Sequence, residues 1–287
     1  MSIMNLKPFI KKFILKFLQK YLVKILHAIS QIHIKDGKKQ MVIYSFDTIG
    51  HCINTWGYYE WQVLDTLDLW VNKNFPEKKK LSVLDIGANI GNHTVYFSER
   101  FMKILSYEPV LKNFKLLTLN TEDLENVKIF NFGISDINEE AKINIPNENM
   151  GGSSVVNTPE NICRNEKIKL KNLNKENILI EKIGLVKIDV EGMEYQALLG
   201  ISDIIKRDLP IIMYEDNIYE EIEDGSSKSI NFLKSNGYSN FYTFRNVKKT
   251  NSMTAIFNFL NDDKYEIVEL EKIKNKKDYS NLIVAYA

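Results

Sequence analysis

Three acids stand where apolar runs end: Asp85 in "VLDIG", Glu108 in "KILSYEP" and Asp189 in "LVKIDVEG". Each run reads as a buried strand. Asp85 is followed by two glycines spaced as G-A-N-I-G, Gly87 and Gly91, and then by a helical pattern that opens at Asn92 and His93. A strand, a glycine turn and a helix N-terminus make a pocket that backbone N–H groups can line. Glu191 and Glu194 follow Asp189 within one turn, and Gly192 between them gives the turn room. Carboxylates at a strand end suit the handling of a proton, and His93 is a further candidate base. The alternatives are a His93 that faces solvent or bonds the turn, and acids at Asp189 and Glu194 favoured by a helix dipole.

The glycine pattern discriminates between cofactors. Dinucleotide turns carry G-x-G-x-x-G, whose middle glycine lets a pyrophosphate approach the backbone. Here the pattern is incomplete, and Asp85 would repel a phosphate lying over the helix N-terminus. An acid there suits a cofactor with a positive amino group, such as S-adenosyl-L-methionine. Glu108 lies 23 positions beyond Asp85, where an acid can accept hydrogen bonds from both ribose hydroxyls. Two other readings stay open, a nicotinamide-dependent oxidoreductase and a non-catalytic membrane-associated scaffold. The missing glycine and Asp85 oppose the first, and the intact acids oppose the second.

Positioning these residues requires strands and helices in alternation, which implies an α/β fold with a mostly parallel sheet and helices on both faces. Strands are expected at "LSVLDIG", "KILSYEP", "VKIFNFGISD", "LVKIDVEG" and "LPIIMYED", followed by "GYSNFYTFRN" and "LIVAYA", seven in all. "MVIYSF" (Met41 to Phe46) reads as a further strand, and helices are expected over "HTVYFSERF", "VLKNFKLLTLNTEDL" and from Trp61 to about Val71. An irregular insert, about Ile137 to Lys182, carries the polar "GGSS" of Gly151 to Ser154 and an extended "KIKLKNL". Loops of this kind at strand ends bind ligands. Trp56, Tyr58 and Tyr59 offer rings for a sugar or adenine face, with a core cluster as the alternative.

"VLDIGANIGNHTVYFSE", "SYEPVLKNFKLLTLN", "FGISD", "GGSSV" and "LVKIDVEGMEYQALLG" resemble, in order and spacing, the FkbM-type family of S-adenosylmethionine-dependent methyltransferases. The match spans roughly Gly57 to Glu215, and "KIDVEGMEYQALLG" is its most diagnostic piece. The resemblance implies a Rossmann-like class I methyltransferase fold and methylation of a hydroxyl oxygen on a sugar of a glycan, glycolipid or glycosylated metabolite. The residues assigned to the cofactor are Asp85, Gly87, Ala88, Asn89, Gly91, Asn92, Glu108, Pro109, Ser135, Asp136 and Asp189. Those assigned to catalysis are Asp189, Glu191 and His93. The acceptor set is Glu60, Ser153, Ser154, Glu194 and Glu215, with Glu60 at a point where family members carry a glycine and an acid. Asp189, Asp216 and Asn217 form an oxygen-rich set of the kind that holds magnesium, but the family pattern does not require a metal and none is assigned.

The bulk numbers narrow the partners. Across 287 residues, 38 basic against 37 acidic side chains leave a net charge of +1. No global field attracts nucleic acid, and no basic stripe with interleaved aromatics crosses the catalytic part. The two cysteines, Cys52 and Cys163, lack ligand or disulfide-framework spacing, which fits the cytoplasm. Residues 1–40 read as a basic amphipathic helix with a linker, and 41–287 as the methyltransferase domain. From Leu6 to Leu26 apolar pairs recur at four-residue steps, while Lys7, Lys11, Lys12, Lys16, Lys20 and Lys24 fall opposite with no acid among them. Such a helix docks on protein or lies on the inner face of an anionic membrane. The acceptor's identity and the oligomeric state are not fixed by the sequence.

Overall fold

The computed structural model describes residues 8–146, 163–176, 181–216, 227–247, 264–270 and 279–287. Two units divide it, Met1–Tyr59 and Glu60–Ala287.

In the first unit, α1 (Pro8–Lys35) precedes α2 (Thr48–Trp56). Asp47 caps α2 by accepting from Ile49 N at 2.9 Å. Met41 to Phe46 form no strand, contrary to the sequence expectation. A short apolar run needs a partner strand for its backbone groups. Here the chain instead turns at Tyr44, whose carbonyl accepts from Asp47 N, and enters the cap. His33 Nε2 meets Thr55 O at 3.2 Å and Lys38 donates to Trp56 O at 2.7 Å. Tyr58 is buried beneath Lys38, a core position rather than an open ring. Among the described residues no helix is long and apolar enough to cross a membrane.

The second unit opens with α3 (Trp61–Asn74) and then alternates β1 (Ser82–Ile86), α4 (Asn92–Ser98), β2 (Lys103–Tyr107), α5 (Leu111–Thr121) and β3 (Val127–Phe130). There follow β4 (Gly133–Ile134), β5 (Glu139–Pro146), β6 (Cys163–Lys171), β7 (Ile183–Ile188), α6 (Glu194–Gly200), α7 (Ser202–Asp208) and β8 (Ile211–Glu215). The remaining elements are α8 (Lys228–Ser235), β9 (Asn240–Asn246), β10 (Tyr265–Glu269) and β11 (Tyr279–Tyr286). The main sheet runs β10-β9-β11-β8-β7-β1-β2-β3, eight strands where the sequence suggested seven. The additional strand is β10, which among the described residues pairs with β9 only and so sits at an edge, where an alternating, partly polar "YEIVE" suffices. β8-β7-β1-β2-β3 is parallel, and β11 and β9 turn the rest antiparallel.

"VKIFNFGISD", read as one strand, breaks in two. β3 stays in the main sheet, whereas β4 leaves it to pair with β6 in a separate three-stranded sheet, β4-β6-β5. Within the insert β5 and β6 therefore pair antiparallel, and Ser153 and Ser154 lie outside the described residues. Leu84, Ile86, Val186, Ile188 and Tyr214 pack on Leu198 of α6, Ile205 of α7 and Leu233 of α8 to form the core of one face.

β7 begins against the chain that precedes β1. A Cβ on Gly184 would stand 2.4 Å from Lys78 O, so this approach admits only glycine. Gly184→Ala is expected to lower stability by about 1–3 kcal/mol through overpacking, read as a lower urea midpoint at unchanged slope.

Candidate active site

Side chains alternate across a strand, and this decides what meets at the carboxyl ends. Leu84, Ile86, Val186 and Ile188 occupy the face of α6 to α8, so Asp85, Ser106 and Lys187 project to the other. Register sets the three side by side, with Asp85 opposite Ser106 on β2 and Lys187 on β7. Lys187 is 2% exposed. Its Nζ donates to Gly87 O at 2.8 Å and lies 3.3 Å from Asp85 Oδ1 and 3.6 Å from Asp189 Oδ2. Thr94 of α4 donates to Asp85 Oδ2 at 2.6 Å and stands 2.8 Å from Ser106 Oγ. Burial opposes the charge on Lys187, but Asp85 and Asp189 outweigh it and leave its pKa above the usual lysine value.

The turn above this network is fixed from three sides. Gly87 N and Ala88 N both donate to Tyr107 O at 3.0 Å, and Asp189 N donates to Ile86 O at 3.1 Å. Gly87 has φ +78°, and a Cβ there would fall 1.9 Å from Asp189 O. Only glycine lets the ends of β1 and β7 run this close. Asn89, also left-handed at φ 51°, donates its N–H to Glu108 Oε2 at 2.9 Å, and Val110 N donates to Oε1 at 2.8 Å. Burial pushes the Glu108 carboxyl up to about 7, against the pull of those two N–H groups and of Lys187.

A cleft opens here, and its polar lining is Gly87, Asn89, Glu108, Asp189 and Glu191. β1 is the point where the chain turns to build first one half of the parallel sheet and then the other. Open α/β sheets bind ligands at such a switch point.

Of the residues singled out from sequence, Gly87, Asn89, Glu108, Pro109, Asp189 and Glu191 line the cleft. Asp85 does not. It is fully buried beneath the turn, and the cation it meets is Lys187 rather than a ligand's amino group. Ala88 contributes its backbone N–H to the turn, Gly91 caps α4 in a left-handed conformation, and Asn92 is buried in the first turn of that helix. Ser135 is buried and bonds Asp136, whose carbonyl accepts from Asn172. Their neighbours Gly133 and Ile134 line the cleft instead.

His93 is 8% exposed, stacked on Phe97, with Nε2 3.6 Å from Glu60 Oε2. Glu194 spends its carboxylate on the turn, accepting from Val190 N at 3.3 Å and Gly192 N at 3.1 Å. Burial raises its pKa despite those donors. Glu191 sits on that turn at φ 53°. Burial, then Asp189, Glu215 and Glu194, push its carboxyl up to about 7. Glu215 is also pushed up to about 7 by burial, Asp189 and Glu194, while Asn281 of β11 donates to it. Glu60 lies close enough to act on both Glu215 and Lys187. Asp216 accepts from Ser227 at 2.5 Å, and Asn217 lies outside the described residues.

Sequence reasoning missed Lys187, Thr94 and Asn281. Lys187 left a signal, a lone cation inside the apolar run "LVKIDV", which in a buried strand demands a partner. Asn281 left none, because it comes from a strand 66 residues away.

The cleft fits S-adenosyl-L-methionine by its set of acceptors. Asn89 Oδ1 is a buried acceptor with no partner, Glu108 presents a buried carboxylate with lone pairs to spare, and Asp189 can face an ammonium. Asn89, Glu108 and Asp189 would hold it.

The sequence profile of the methyltransferase FkbM domain matches residues 85–240. No curated protein matches. Among solved structures, the chain is similar to a methyltransferase FkbM from Methylobacillus flagellatus KT at 14% identity, TM-score 0.42, covering 72% of this chain and 44% of that one. It thus spans less than half of that relative's length. An O-methyltransferase from Bacillus cereus in complex with SAH matches at 12% identity, TM-score 0.41, over 91% of this chain and 90% of that one. Fibrillarin from Aeropyrum pernix with natively bound S-adenosyl-L-methionine matches at 12% identity, TM-score 0.42, over 80% of each chain.

Removing Lys187 would leave Asp85 buried without a cation. Lys187→Met is expected to cost about 3–5 kcal/mol in urea denaturation, and pairing it with Asp85→Asn should recover most of that loss.

Proposed function

The chain belongs to the methyltransferase FkbM domain family, and from that premise we propose that it moves a methyl group from S-adenosyl-L-methionine to a hydroxyl oxygen of a sugar. The observation that carries this reading is Glu191, a half-buried carboxyl on a left-handed turn at the polar end of the cleft, pushed up to about 7 by burial and by its acidic neighbours. When bound, the cofactor supplies an electrophilic methyl carbon. The work left to the protein is to hold an acceptor oxygen in line and to take its proton.

Glu191, as carboxylate, accepts the proton of the acceptor hydroxyl. Asp189 and Glu215 accept hydrogen bonds from neighbouring hydroxyls, and Asn281 orients Glu215. His93 backs Glu60 at the same acidic edge. Lys187 keeps Asp189 from facing those carboxylates without a counter-charge. An acceptor rich in hydroxyl donors suits this set of acceptor atoms, whereas a phosphate or carboxylate would be repelled by it.

The acceptor's setting follows from α1. Phe13, Phe17 and Tyr21 are 68%, 65% and 59% exposed, and Lys12, Lys16, Lys20 and Lys24 are exposed beside them. A basic helix with free aromatic and aliphatic side chains matches the interface of an anionic membrane, where each lysine adds about 1 kcal/mol. The acceptor is then a glycolipid or a membrane-held glycan, and the enzyme a peripheral protein of the cytoplasmic side.

Methyl transfer from labelled S-adenosyl-L-methionine to a panel of free sugars and glycolipids tests the chemistry. Because Glu191 must be deprotonated to act, the rate should rise with pH through about 7 and level off above it. Glu191→Gln should lose about 100-fold or more together with that inflection, with little change in S-adenosylhomocysteine affinity. A full-rate Gln variant would remove Glu191 from this role. For α1, flotation with phosphatidylglycerol-containing vesicles is expected for the whole chain and not for one lacking residues 1–30. Equal flotation of the two would end the membrane proposal.

A further inference from the structure

The two faces of the β5–β6 pair differ in chemistry. Ala141 and Ile143 on β5 and Ile168 and Leu170 on β6 gather with Val110 in one apolar cluster, so alternation turns Lys142, Lys167 and Lys169 away from it. All three lysines are exposed. Register sets Lys142 directly opposite Lys167, while Lys169 lies opposite Glu140. Like charges that face each other across paired strands destabilise the pairing. An anion bound beside them would offset that repulsion.

A groove runs between β6 and α5. β4 covers β6 only at Leu170 and Lys171, so among the described residues the stretch from Glu166 to Lys169 has no strand on that side. Lys112 and Lys115, one turn apart on α5, line the groove together with Lys167 and Lys169 of β6. Glu166 is the one acid in its described lining, and its carboxylate accepts from Leu111 N at 2.8 Å. Asn131, also in the lining, donates its amide to the carbonyls of Glu108 and Pro109. The first N–H of α5 and the one side-chain amide are thus in use, and the groove offers a ligand four ammonium groups. In a chain of net charge +1 this is a local surplus.

The residue types narrow the ligand. Arginine presents a planar fork that matches carboxylates, whereas lysine presents a point charge with rotatable donors, and no arginine is in the described lining. Ammonium groups arriving from two elements suit a compact tetrahedral anion of several charges. No aromatic ring is in the described lining either, so a nucleic-acid base would find nothing to stack on.

We propose that the groove between α5 and β6 is a binding site for a ligand carrying two or more phosphoryl charges, held by Lys112, Lys115, Lys167 and Lys169. The groove shares only Pro109 and Ile168 with the cleft of Glu108 and Asp189. The site therefore stands whatever that cleft binds.

The test is calorimetric titration of the whole chain with inorganic pyrophosphate. Three proteins are compared: the wild type, the double variant Lys167→Gln/Lys169→Gln, and the double variant Lys80→Gln/Lys206→Gln, which removes the same charge from exposed positions outside the groove. The wild type and the Lys80/Lys206 variant should bind alike, and more weakly as salt is raised. The Lys167/Lys169 variant should bind about 30-fold more weakly. Its urea midpoint should not move, since both side chains are exposed, and this separates lost binding from lost folding. Citrate, of similar charge on planar carboxylates, should bind the wild type more weakly than pyrophosphate. No pyrophosphate binding by the wild type, equal affinity in all three proteins, an equal loss in both variants, or citrate bound as tightly as pyrophosphate would overturn the proposal. Flotation on phosphatidylcholine vesicles containing phosphatidic acid identifies the source of the phosphoryl group. A loss in the Lys167/Lys169 variant assigns it to a lipid, and unchanged flotation assigns it to a free ligand.

Discussion

A buried ammonium holds the carboxyl ends of β1 and β7 together. Lys187 lies among Asp85, Asp189 and the carbonyl of Gly87, while Thr94 donates to Asp85 and is itself bonded to Ser106. An unpaired charge in that position would be expensive, so geometry on β1, β2, β7 and α4 is tied to one point. The Gly87 turn sits where it does because its carbonyl is one of the three acceptors, and Asp189 emerges into the cleft with a counter-ion already behind it.

From that point the site divides its acids by surroundings. Glu108 is wholly buried and receives two backbone N–H groups, an arrangement for gripping a neutral pair of donors. Glu191 and Glu215 are half-buried and crowded by like charge, an arrangement for carboxyls that exchange protons near neutrality. Glu194 belongs to neither group, since its carboxylate is taken up by the backbone of the turn that presents Glu191. The same four-residue stretch, Glu191 to Glu194, thus carries one acid that lines the cleft and one bent back onto the turn.

How much of this the sequence disclosed follows from the range of the interactions. The strand, turn and helix around Gly87 are local, and their glycines and apolar runs were readable directly. The end of β7 was readable for the same reason. Met41 to Phe46 looked like a strand because a short apolar run carries no mark of whether a partner strand exists. "VKIFNFGISD" hid a break because both halves are equally apolar, and only pairing with β6 draws Gly133 and Ile134 away. Ser135 and Asp136 were placed by motif, yet their side chains serve each other while the two residues before them reach the cleft. The apolar cluster of Val110, Ile143, Ile168 and Leu170 was not readable at all, since these are ordinary strand or loop residues until β5 and β6 pack on Val110.

The position of β11 bears on the order in which the molecule assembles. β11 follows β8 and β9 in sequence but lies between them, paired antiparallel to both. As the chain leaves the ribosome, the parallel half from β3 to β8 can settle while β9 and β10 have no seat beside it. Only when β11 is delivered does the far edge of the sheet lock, and the same strand brings Asn281 to Glu215. Such non-local pairing is slow to form. Glu215 therefore gains its Asn281 partner last, after the Gly87 turn and the Lys187 network can already have formed.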